Sequence, residues 1–119
     1  MKRLLIAVAL IAMPAAAKAM SVSEFLAEAE DIPRNATALL RSDTRRLMAE
    51  IRGAFETIGN EREAAEAAGR TPAYCPPGNG RVSLSADDIM ARLNSIPRSR
   101  RGISVTQAMR EWMVERYPC

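Results

Sequence analysis

The 119-residue sequence contains no histidine and only two cysteines, and aromatic residues make up 4% of it. Histidine is the commonest general base in enzymes and a common metal ligand, so its absence disfavours both kinds of site. Two cysteines exclude a four-cysteine zinc site, and their wide separation excludes a thioredoxin-type C-x-x-C pair. We therefore expect no catalytic residues, no metal site and no cofactor, and we expect the protein to act by binding rather than as an enzyme.

The N-terminus has the pattern of an export signal. Lys2 and Arg3 precede an apolar run at residues 4–13, and Ala17-Lys18-Ala19 has the A-x-A form of a signal-peptidase site. The run is too short to span a bilayer, which takes about 20 apolar residues. Residues 1–19 are therefore predicted to be a cleaved signal peptide, with residues 15–17 as a second cleavage option. The expected location of the mature chain is the periplasm.

Cleavage changes the charge balance. The whole chain has 17 basic and 14 acidic residues, and Lys2, Arg3 and Lys18 leave with the signal peptide. The mature chain is then nearly neutral, and all its basic residues are arginines. Net basicity therefore gives no reason to expect a nucleic-acid partner, and no membrane attachment is expected after the signal is removed.

Export also predicts the state of the two cysteines. In an oxidising compartment the simplest outcome is one bond between Cys75 and Cys119. Such a bond closes a loop of about 45 residues, which stabilises the fold by at most about 4 kcal/mol through chain entropy.

Three serines are each followed three residues later by Glu, Asp or Gln, which is the pattern of a capping box at a helix start. A fourth start is expected at Ser42, ahead of a long helix over residues 43–68, and no segment has convincing strand character. The pattern predicts one all-α domain at residues 20–119, with about four helices stapled by one disulfide. The three serine pairs are Ser21 with Glu24, Ser85 with Asp88, and Ser104 with Gln107.

Apolar residues recur at helical spacing in each of these segments, which predicts one buried face per helix. Four methionines fall on the stripes, and we expect them in the core rather than in a binding groove. The end of the long helix, residues 61–70, is polar nearly all round and is expected to project into solvent. The four methionines are Met48, Met90, Met109 and Met113.

A cluster of arginines is the main charge feature of the mature chain. Arg92 precedes Arg98, Arg100 and Arg101, which follow Pro97. The group is either a solvated loop or a contact surface for an acidic partner, because guanidinium groups form forked hydrogen bonds with carboxylates.

The C-terminal half, residues 74–119, resembles the Rap/Tai-type immunity proteins of type VI secretion systems. The resemblance is carried by the tyrosine, cysteine and two prolines at residues 74–77, by a capped helix ending at Ile96-Pro97, and by the ending Tyr117-Pro118-Cys119. Only Cys75 and Cys119 carry over from the family, and these matching positions are structural. The second cysteine pair that these proteins usually carry in the N-terminal half is missing here.

The resemblance implies a periplasmic helical protein that binds and inhibits a peptidoglycan amidase delivered by neighbouring cells, often as a homodimer. It names no residue that contacts the amidase. The candidate contacts are therefore Arg98, Arg100 and Arg101, on charge alone, and the polar end of the long helix at residues 61–70. The alternative expectation is an exported structural or stress-related helical protein with no toxin partner.

Overall fold

The computed structural model describes residues 19–78 and 81–119, so the predicted signal peptide lies outside the described residues except for Ala19. Within these ranges the chain is helical and forms no strand, which confirms the all-α prediction. The described helices are α1 (Val22–Glu30), α2 (Ser42–Ala67), α3 (Ala86–Ser95) and α4 (Val105–Arg116), with 3-10 helices at Ala36–Leu40 and Arg98–Arg100.

The three predicted serine caps are all present. Each serine Oγ accepts the backbone N–H three residues on, at 3.1 Å for Ser21, 3.1 Å for Ser85 and 3.0 Å for Ser104. A complete capping box forms only at α3, where the Asp88 carboxylate also accepts the N–H of Ser85 at 3.0 Å. At α4 the side-chain oxygen of Gln107 accepts a hydrogen bond from Arg110 instead.

The predicted cap at Ser42 is wrong. Ser42 is the first residue of α2, and Arg41 occupies the cap position without a capping bond from its side chain. The Arg41 guanidinium donates instead to both carboxylate oxygens of Asp43, at 3.0 and 2.8 Å. This forked bond lowers the pKa of Asp43 and fixes the first turn of the helix. The last residue of α2 is Ala67 and its C-cap is Ala68. Gly69 follows, and its φ of 70° lies in the left-handed region that favours glycine after a helix.

The core is centred on α4, which packs against α2 and α1, while α3 packs against α1. Five residues on one face of α4 are buried, among them Trp112, and they meet buried side chains from the other three helices. Met109 and Met113 are fully buried, as predicted. The α4 face consists of Val105, Ala108, Met109, Trp112 and Met113, and its buried partners include Val22, Phe25, Leu26, Ala54, Ile58 and Leu93.

Both ends of the domain are tied to its interior. The segment before α1 pairs with the segment before α4: Val22 N–H donates to the Ile103 carbonyl, and Val105 N–H donates to the Met20 carbonyl, both at 2.9 Å. At the other end Cys75 and Cys119 form the predicted disulfide. Among the described helices, none has the length and apolar character needed to cross a membrane.

Candidate functional site

An apolar groove of about 490 Å³ opens between α1, α2 and α3. The groove lies where α3 packs against α1 and leaves a gap toward α2. Most of its lining side chains are apolar. Arg34 and Asp87 are exposed, whereas the Thr44 hydroxyl oxygen is buried and has no hydrogen-bond partner among the described residues. The lining consists of Phe25, Ala29, Ile32, Arg34, Thr44, Leu47, Met48, Ile51, Ala86, Asp87, Ile89 and Met90.

Two of the four methionines assigned to the core line this groove. Met48 on α2 is 50% exposed, and Met90 on α3 is only partly buried. The core prediction is therefore wrong for Met48, whereas Met90 packs against the core with part of its side chain open to the groove. Met48 lies on the apolar stripe of α2 at a point where half of its surface stays exposed. Unbranched methionine side chains fit irregular and variable partners, so their place here suits a binding surface.

A pair of exposed leucines adjoins the groove. The 3-10 helix Ala36–Leu40 connects Arg34 to the start of α2, and both Arg34 and Thr44 line the groove. Leu39 is 68% exposed and Leu40 is 81% exposed. Large apolar side chains grouped in this way on a surface are typical of interaction sites. Two adjacent leucines outside any predicted stripe were the signal in the sequence that could have located this surface.

Arg34 and Asp87, one cation and one anion, stand at the edge of the groove. Both side chains are exposed, and neither makes an ion pair or a side-chain hydrogen bond within residues 19–78 and 81–119. Asp87 lies in the first turn of α3, where the helix dipole favours a negative charge. The groove therefore offers a ligand an apolar floor and two charges of opposite sign.

A second hollow of about 380 Å³ lies next to the groove along α2. Ile51 and Ile89 line both cavities and separate them. The Arg62 guanidinium lies over the ring of Tyr74, 5.7 Å from its centroid, at the wall of this hollow. This contact fixes the loop that leads to Cys75 against α2.

The arginines after Pro97 differ in their surroundings. Arg101 donates to the carbonyls of Ile96 and Asn94, at 2.9 and 3.1 Å, and so caps the end of α3. Arg100 forms an ion pair of 2.8 Å with Glu111. Arg98 is exposed and has no side-chain partner in the part of the chain that the structure describes. Arg98 is thus the most accessible of the three, and their contact with a partner stays a prediction.

The polar end of α2 projects into solvent only in part. Glu61 is exposed but pairs with Arg110 of α4. Arg62 is partly buried and packs over Tyr74, so it departs from the expectation of a segment that projects into solvent. The forked hydrogen bond from Arg110 lowers the pKa of Glu61, and the Glu61 carboxylate in turn raises the pKa of Arg110. Beyond them Glu63, Glu66 and Arg70 are exposed.

The carboxylates with shifted pKa values accept hydrogen bonds that stabilise the fold. The pKa of Asp88 is lowered because the backbone and side chain of Ser85 hydrogen-bond to it in the capping box. Asp43 and Glu61 are each held by an arginine. Among the described residues no group of three or more Cys, Asp or Glu side chains is arranged to hold a metal ion. The arrangement offers surfaces for binding, and of the two cavities described above the groove is the larger.

Comparison of the chain with family models, with curated proteins and with solved structures finds no match.

Proposed function

We propose that this protein is an exported binding protein that acts in the periplasm and inhibits a peptidoglycan amidase, in the manner of type VI secretion immunity proteins. The observation that carries the binding role is the open apolar groove, with half-exposed Met48 and the adjacent leucines at positions 39 and 40. A soluble domain gains nothing in stability from keeping such side chains in water, so a partner that covers them is the simplest reason for their position.

The amidase is proposed as the partner because residues 74–119 resemble the immunity family. The disulfide between Cys75 and Cys119 supports an oxidising compartment, since such bonds persist outside the cytosol. Arg98 and Arg100 add exposed positive charge that suits an acidic rim on the partner. Arg101 is the least free of the three, because its guanidinium is bonded to the end of α3.

The proposed export is tested by the mass of the protein recovered from periplasmic extract. We expect an N-terminus at Met20, which is the residue that follows Ala17-Lys18-Ala19. A soluble product that retains residues 1–19 would contradict the signal-peptide prediction.

The inhibitory function is tested with purified peptidoglycan amidases, beginning with any amidase that a neighbouring gene encodes. The mature protein should bind it with a one-to-one subunit ratio in a calorimetric titration and should stop its release of peptide from peptidoglycan at equimolar concentration. Deletion of the gene should make cells sensitive to attack by sibling cells. If no cell-wall hydrolase binds at concentrations of about 10 µM and deletion has no such effect, the immunity role is wrong and a structural role is favoured.

A further inference from the structure

We propose that the groove between α1, α2 and α3 receives one amphipathic helix of the partner protein, an inference that rests on the binding role proposed above. The helix would lie along the groove with its apolar stripe against the floor. This mode of recognition needs an apolar channel with anchor points at the spacing of helix turns. None of the lining residues belongs to the arginine turn, Arg98–Arg100, so the proposal makes the main contact with residues outside that turn.

The extent of the apolar surface favours a polypeptide. Met48 and Met90 line the groove from two different helices, and Leu39 and Leu40 are exposed on the 3-10 helix that follows the lining residue Arg34 and contacts α2. A small ligand would fill the groove and leave both leucines in water. A helix of a folded partner covers the groove with its apolar face, and the surface next to that helix covers the leucines.

The two edge charges define the chemistry of the occupant. Arg34 and Asp87 line the same groove and are both without a side-chain partner among the residues described. A complementary helix therefore carries an acidic residue where it passes Arg34 and a basic residue where it passes Asp87. Its apolar residues face the floor of the groove at positions i, i+3, i+4 and i+7. This arrangement of opposite charges also fixes the direction in which the helix lies.

The structure supplies variants with matched controls. Met48→Glu places a carboxylate in the groove at a half-exposed position, so the fold should tolerate it. Val114→Glu is the control, because Val114 is 42% exposed on α4 and does not line the groove. Arg34→Glu reverses the charge at the edge, and Arg52→Glu is its control, because Arg52 is an exposed arginine of α2 that does not line the groove and has no side-chain partner in the described part of the chain.

The first measurement is a calorimetric titration of each variant with the amidase. Met48→Glu should raise Kd at least about tenfold and Arg34→Glu at least about threefold, while each control changes Kd less than about twofold. Melting temperatures of all four should stay near that of the native protein. If the amidase binds the native protein and Met48→Glu equally well, the groove proposal is wrong while the proposed function stands.

If the amidase does not bind the native protein, the proposed function fails and synthetic peptides decide the groove proposal. The probes are two helical peptides of about 18 residues, or five turns, with the same leucine stripe and with Glu and Lys exchanged between their ends. One should bind with Kd below about 1 mM in fluorescence anisotropy and lose binding to Met48→Glu but not to Val114→Glu. Failure of both peptides overturns the proposal. So does a native dimer in light scattering that Met48→Glu alone dissociates, because a second copy then fills the groove.

Discussion

The guanidinium of Arg110 on α4 donates two hydrogen bonds to the carboxylate of Glu61 on α2, from Nε to Oε2 at 2.9 Å and from Nη2 to Oε1 at 2.6 Å. The two residues are 49 positions apart in the sequence. The pair lies at the edge of the contact between α2 and α4, beyond the buried Ile58. It extends the contact of α2 with α4 past the point where apolar packing stops.

Glu61→Gln should remove a pH-dependent part of the stability. The pKa of Glu61 is lowered in the folded protein from its ordinary value of 4.5. Its contribution is therefore fully present above pH 4.5 and is lost as the pH falls through the lower folded pKa. The pair is half exposed, so we expect less than about 1 kcal/mol at pH 7. Urea unfolding of the native protein and the variant between pH 7 and pH 3 measures it.

Glu63→Gln is the matched control for this experiment, since Glu63 is exposed on the same helix and has no side-chain partner in the described residues. Its effect should be close to zero at every pH. A stability difference for Glu61→Gln that stays constant down to pH 3 would contradict the assignment to the ionised carboxylate.

Reduction of the bond between Cys75 and Cys119 should destabilise the fold by up to about 4 kcal/mol, because it releases a loop of about 45 residues in the unfolded chain. The check is the melting temperature with and without a reductant such as tris(carboxyethyl)phosphine. The double variant Cys75→Ser/Cys119→Ser should melt at the lower temperature in both conditions. If the reductant lowers the melting temperature of the double variant as well, the effect does not come from the disulfide.

Trp112→Ala should cost about 3 to 5 kcal/mol of unfolding free energy, because it removes the largest side chain of the buried face of α4. Val114→Ala, two residues away on the exposed side, should cost less than about 1 kcal/mol. Chemical unfolding of both variants gives the comparison. Similar losses for the two would mean that α4 does not form the centre of the core.

Arg101 and Arg98, which both follow Pro97, should contribute differently to the stability of the fold. Arg101→Ala should lower stability by about 1 kcal/mol, because the Asn94 and Ile96 carbonyls at the end of α3 lose a charged donor. Arg98→Ala should change stability by less than about 0.5 kcal/mol, since its side chain contacts no described partner. Thermal unfolding distinguishes them, and equal losses would show that the capping bonds contribute nothing.

The sequence located the helices well because their start signals are local. A serine cap depends on residues three positions apart, and three of the four expected serine caps formed. The start of α2 differs because the Arg41–Asp43 ion pair fixes the first turn in place of a serine cap. Both outcomes were decided within a few residues of the helix end.

The groove could not be located in the same way. Helical spacing gives the apolar stripe of α2, but it does not tell which part of that stripe another element will cover. Leu47 is covered and Met48 next to it is half exposed, because α3 packs on α1 and leaves the gap beside α2. The pairing of Glu61 with Arg110 is missed for the same reason, since it depends on how two distant helices meet.

The disulfide closes only one part of the chain into a covalent loop. The part closed by Cys75 and Cys119 contains α3, the arginine turn and α4, while α1 and α2 lie outside it. A protease cut inside the closed part leaves its pieces joined until a reductant separates them, whereas a cut between α1 and α2 releases α1 at once when the protein unfolds. The groove is lined from both parts, so a fragment restricted to the closed part keeps the arginine turn and only the α3 wall of the groove.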